Sequence, residues 1–176
     1  LGSGEAYTPP AAATSDSVLA FDLDTGKLVW HYQGVADDAW NMACFIGGSA
    51  NCPPENGPDL DIGASTILTT LPGGRDLLIA GQKSGDVYAL DPDDRGRLIW
   101  RRKIGRGGVS GGVHWGMAVA GTTLFAAVSD PKIMAHEATL SAFPGLNALD
   151  LATGRTLWHT PAPNVCRPDA RPGCDP

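Results

Sequence analysis

One eleven-residue phrase recurs along the chain, and it limits the fold more than any other feature. Residues 20–30 read Ala20-Phe21-Asp22-Leu23-Asp24-Thr25-Gly26-Lys27-Leu28-Val29-Trp30. Residues 148–158 repeat it as Ala148-Leu149-Asp150-Leu151-Ala152-Thr153-Gly154-Arg155-Thr156-Leu157-Trp158. A third copy, 89–100, carries one extra turn residue between Asp91 and Gly96 and ends on Trp100. Each copy predicts a β-hairpin. An apolar run enters it, Asp-x-x-Thr-Gly turns it, and an apolar run ending in Trp leaves it. Asp bonds back to nearby N–H groups, and Gly accepts the positive φ of the turn. A lone hairpin cannot bury its apolar face, so a Trp at a fixed place in every copy predicts a repeated contact between neighbouring units.

The Trp spacing is 70 and then 58 residues, against about 40–50 for a four-stranded propeller blade. Loops must supply the excess, and two polar segments, 34–62 and 131–145, have the right composition. The 23 Gly and 14 Pro suit a chain of tight turns. Further strands are expected at 65–71, 76–81 and 86–90, and again at 116–120, 123–129 and 145–150. No helical periodicity of useful length is present. The expected fold is all-β, two complete propeller blades with parts of two more. Residues 1–33 would end one blade, 63–105 and 113–161 would form two blades, and 162–176 would begin the next, all within one propeller domain. The chain opens on Leu1 without an initiator Met or a signal segment, so it is expected to be an internal piece of a longer protein.

Charge and cysteines narrow the function. Net charge is −6 with no basic cluster, which argues against nucleic acid as the main partner. No apolar run approaches the ~20 residues of a membrane span. Cys44 and Cys52, and likewise Cys166 and Cys174, each enclose seven residues. Metal sites usually have shorter spacing, so two local loop disulfides fit better and suggest a periplasmic or secreted protein. Four free thiols remain the alternative. There is no G-x-S-x-G elbow, no Cys-x-x-Cys-His haem motif and no dinucleotide fingerprint in a strand-to-helix setting.

The Trp hairpin resembles the tryptophan-docking motif of the pyrroloquinoline quinone (PQQ) alcohol dehydrogenases. Three further segments are similar to the polyvinyl alcohol dehydrogenase branch: Asp38-Ala39-Trp40-Asn41-Met42-Ala43-Cys44, Ala80-Gly81-Gln82-Lys83-Ser84-Gly85 and Gly111-Gly112-Val113-His114-Trp115-Gly116. The Cys166–Cys174 loop is similar too. The resemblance implies an eight-bladed propeller with PQQ on its axis. It also implies an alcohol substrate, calcium, a cytochrome c-type electron acceptor, and room for haem c in a part of the protein outside these residues. Lys83 matches the family's cation on the quinone carbonyls, where it would stabilise the charge that develops on reduction. His114 and Trp115 match a polar residue and a Trp beside the cofactor, although many relatives have Asn or Glu in place of His114.

Two matches are altered. The family's proposed base is the Asp of a Trp-Asp pair, and this chain has Trp40-Asn41. Asn cannot accept the proton. Asp38, an acid elsewhere in the protein, or an inactive site are the three options. The family's calcium-ligand Asn falls within residues 2–8, where Glu5 is the best oxygen donor and Thr8 a weaker one. The expected function is PQQ-dependent oxidation of polyvinyl alcohol or another secondary alcohol, with these 176 residues alone inactive. The rival is a non-catalytic propeller that binds proteins through its blades.

Overall fold

The computed structural model describes residues 1–45, 49–131 and 135–163. The Cys166–Cys174 pair lies outside them.

Ten strands form three antiparallel sheets. β1 (Ser17–Phe21) and β2 (Leu28–Gln33) make a two-stranded sheet. β3 (Ile67–Thr70), β4 (Asp76–Gly81), β5 (Asp86–Asp91) and β6 (Arg97–Lys103) make a four-stranded meander. β7 (Met117–Ala120), β8 (Thr123–Val128), β9 (Gly145–Asp150) and β10 (Thr156–Pro161) make a second. The one helical element among the described residues is a short 3-10 turn at Met42–Cys44. The fold is therefore all-β, as the hairpins predict.

The three copies of the hairpin are built alike. Ala20 faces Trp30, Ala89 faces Trp100 and Ala148 faces Trp158 across each ladder. A register shift follows the Ala–Trp pair in every copy, which bends the hairpin at one fixed point. The turn works as its residues dictate. Asp22 Oδ1 accepts from the Thr25 amide at 2.8 Å and its hydroxyl at 2.6 Å. Asp150 Oδ1 accepts the same two bonds from Thr153 at 2.9 and 2.6 Å. Gly26 and Gly154 turn at φ of 68° and 69°.

Consecutive hairpins lock through their tryptophans. A Cβ on Gly96 would meet the Trp30 ring at 2.6 Å, and one on Gly154 would meet the Trp100 ring at 2.6 Å. Trp30 and Trp100 thus each pack a ring against the turn glycine of the next copy. Trp100 also donates from Nε1 to the Leu151 carbonyl at 3.1 Å.

β4 and β5 are buried on both faces, and their alternation sorts side chains between two cores. Leu77, Ile79, Val87 and Ala89 face the second meander, where Leu124, Ala126 and Leu149 meet them. Ala80, Tyr88 and Leu90 face the first sheet with Val18 and Ile62. This explains the near-continuous apolar reading of β5: a strand covered on both sides needs no polar face.

Candidate functional site

Four stretches converge at one end of these sheets. Residues 2–6 run beside 38–40, with Ala6 bridged in parallel to Ala39. The Ile62 amide donates to the Ser3 carbonyl at 3.2 Å, and the Lys83 amide to the Asp61 carbonyl at 2.9 Å. The β4–β5 turn thereby brings Lys83 against the long connection between β2 and β3.

Lys83 is 4% exposed. Its Nζ lies 2.6 Å from Asp59 Oδ1 and 2.7 Å from Asp61 Oδ2. Carboxylate oxygens of Glu5, Asp59 and Asp61 all fall within 4.8 Å of one another. Together they line a cavity of about 580 Å³ with Tyr7, Trp40, Asn41, Met42 and Val109. The cavity is mostly apolar, with its charges gathered at one place.

The crowding sets the protonation states. Burial, then the neighbouring Asp61 carboxylate, pushes Glu5 up to about 8. Glu5 therefore holds a proton at neutral pH and shares it with Asp61. Burial would raise Asp61 too, but the hydrogen bonds of Glu5 and Lys83 outweigh it and hold Asp61 below the ordinary carboxylate range. Burial lifts Asp59 to about 6 against the pull of Lys83. Burial alone would lower Lys83, yet its bonds to Asp59 and Asp61 keep it charged and above its usual value.

The expected site residues fall into two groups. Lys83, Asn41 and Glu5 line the cavity. Asn41 is fully committed there: Oδ1 accepts from the Ala43 amide, and Nδ2 donates to the Tyr7 and Asn51 carbonyls. Asp38 does not line it. That side chain is buried, and its oxygens accept the Asp59 amide at 3.1 Å and the Leu60 amide at 2.8 Å. The structure thus places Asp38 behind Asp59 rather than in the cavity lining, with both oxygens holding the Asp59 segment. Thr8 is exposed and outside the cavity.

His114 and Trp115 lie beyond the cavity wall. Their rings stack at 4.3 Å, and Trp115 is 79% exposed. Burial and then the charge of Lys83 lower the His114 pKa. Backbone bonds tie this stretch to the Lys83 turn, with Val113 donating to Gln82 at 3.0 Å. Cys44 and Cys52 are disulfide-bonded, which anchors the chain just after Asn41 and Met42.

Asp59 and Asp61 are the residues that sequence reasoning missed. They flank buried Leu60 in a stretch that is not a strand, with Asp59 in the left-handed region at φ 60°, so no regular pattern marked them.

Three carboxyl groups against one ammonium leave a deficit of positive charge when all are ionised. A hard divalent cation prefers this all-oxygen donor set. Such a cation would offset the burial and crowding that push Glu5 up, so the residues present fit one.

The chain is similar to two proteins named polyvinylalcohol dehydrogenase. Identity is 41% over 161 residues to that of Sphingopyxis sp. (strain 113P3), covering 90% of this chain and 24% of the relative. It is 39% over 168 residues to that of a Pseudomonas species, covering 95% and 25%. The chain thus spans about a quarter of the length of these relatives. Among solved structures, a europium-containing methanol dehydrogenase matches at a TM-score of 0.51 and 18% identity, over 92% of this chain and 23% of that one. That match supports the fold alone. The PQQ_2 family profile, described as outer membrane protein assembly factor BamB, matches residues 10–164. The chain belongs to the PQQ_2 family, and within it resembles the PQQ-dependent alcohol dehydrogenases.

Proposed function

We propose that this chain supplies one wall of the active site of a PQQ-dependent enzyme that oxidises polyvinyl alcohol or another secondary alcohol. The observation that carries the reading is Lys83, a buried ammonium held between Asp59 and Asp61 at the edge of a cavity of about 580 Å³. Similarity to the two polyvinylalcohol dehydrogenases supports the substrate class. The disulfide supports a periplasmic setting, where a cytochrome c would accept electrons. A protein-binding scaffold has no use for such a charged cavity.

PQQ held here would supply the hydride acceptor, and calcium held by Glu5 and Asp61 would supply the Lewis acid, which leaves Asp59 free of the metal. Lys83 offers the donor that stabilises negative charge on the quinone oxygen. Trp40 and Tyr7 present the flat walls, with His114 and Trp115 supporting the Lys83 turn from behind. Asp59, ionised at neutral pH and close to it in pKa, takes the hydroxyl proton. Asp38 positions Asp59 through the backbone.

The test reconstitutes the full-length protein with PQQ and Ca²⁺ and follows dye reduction by secondary alcohols. Cofactor-dependent turnover is expected. Lys83→Ala should abolish it, and Asp59→Asn should lower kcat by about 10²–10⁴-fold. Full activity in Asp59→Asn would move the base elsewhere, and no PQQ binding would overturn the reading.

A further inference from the structure

A second cavity, of about 460 Å³, shares no lining residue with the first. It lies between β6 and the β9–β10 hairpin, under residues 140–143. Arg102, Lys103, Arg106 and Asn147 supply its polar wall, with Lys103 already paired to Glu137 and Asp86, and Leu140 and Phe143 belong to its apolar one.

The polar wall has more donors than partners. Arg106 is 6% exposed, and its Nη2 donates to the Asp130 carbonyl. Its Nε has no partner, and no ion pair neutralises it among the described residues. Asp130 spends its carboxylate on the backbone amides of Arg106, Gly107 and Phe143. Asn147 is 1% exposed, and its Nδ2 also lacks a partner. Arg102 reaches only the hydroxyl oxygen of Thr156, at 3.2 Å. Buried donors are normally satisfied, and a buried guanidinium without an anion is costly. Two of the three lining cations have no carboxylate partner among the described residues, and with two idle donors in the same cleft they point to an acceptor that carries negative charge. A guanidinium edge and a carboxamide present N–H groups in planes, which suits a carboxylate. The apolar wall suits a hydrocarbon tail.

We infer that this cleft is a binding site for an organic carboxylate with a short apolar tail. Octanoate is the probe. Calorimetric titration of the full chain at low salt should give saturable one-to-one binding. Inorganic phosphate lacks the tail and 1-octanol lacks the charge, so both should bind at least about tenfold more weakly. Asn147→Asp keeps the volume but faces the ligand with a like charge, and should weaken octanoate by about tenfold or more. Leu140 is 41% exposed, so Leu140→Glu leaves the fold intact and should have the same effect. Phosphate or octanol binding as tightly as octanoate would overturn the inference. So would unchanged affinity in either variant, or no saturable octanoate binding.

Discussion

Trp100 and Trp158 occupy the same place in the same motif, yet one is 9% exposed and the other 45%. Both face an alanine across the ladder, beside the same register shift. The difference is the neighbour. Trp100 lies on Gly154, whereas Trp158 meets no turn glycine among the described residues and tilts against Phe125 at 5.9 Å. The glycines divide in the same way. Gly96 and Gly154 each carry a ring, while a Cβ on Gly26 would meet nothing within 4 Å. The hairpin is thus a local structure that forms in every copy. The docking is a separate, tertiary event that needs the next copy in place.

The comparison can be broken experimentally. Trp100→Ala should cost about 3–5 kcal/mol in denaturant unfolding, and Trp158→Ala only about 1 kcal/mol. Equal losses would show that the ladder, not the docking, holds the tryptophans. Gly154→Ala should cost about 2–4 kcal/mol, because it combines a positive φ with a clash against the ring. Gly26→Ala meets the backbone strain alone and should cost about 1–2 kcal/mol. A pair of equal values would remove the steric part of the argument.

Docking of rings on glycines carries no charge, so those losses should not vary with pH. The acidic belt supplies the contrast. Asp16 is fully buried with both carboxylate oxygens unpartnered, and burial, then Asp38 and Asp61, pushes it up to about 8. The folded protein keeps this proton where the unfolded chain has released it. The resulting stability is whole in acid and is lost as pH rises through about 8. Asp16→Asn should therefore raise Tm by roughly 2–4 °C at about pH 9 and have less effect at about pH 4. Asn also tolerates the φ of 48° at this position. A pH-independent change would show that Asp16 is already paired.

The hairpins were legible in the sequence because their information is local. Asp, Thr and Gly at fixed offsets make the turn, and period-two alternation makes the strands. Lys83 was singled out by its match to the family's cation, not by anything local. Asp59 and Asp61 were not singled out. They sit in a Pro- and Gly-rich connection with no periodicity, and they meet Lys83 across 24 and 22 residues. Only the folding of that connection over the β4–β5 turn turns three scattered acids into one site. The setting of Asp38 was hidden for a related reason. An acid two residues before Trp40 looks reactive in a sequence, and nothing local reveals that amides 21 and 22 residues away will occupy it.

The ring-on-glycine contact also bears on how such a chain can grow. Every hairpin carries both halves of the joint, a ring to give forward and a glycine to receive from behind. Copying one hairpin with its connection in frame therefore delivers a matched joint on either side. The length between joints is free, as steps of 70 and 58 residues already show, so new loops can be spliced in without disturbing the fit. A head-to-tail joint of this kind sets no limit on the number of units by itself. The turn angle between neighbouring sheets decides whether the row closes on itself.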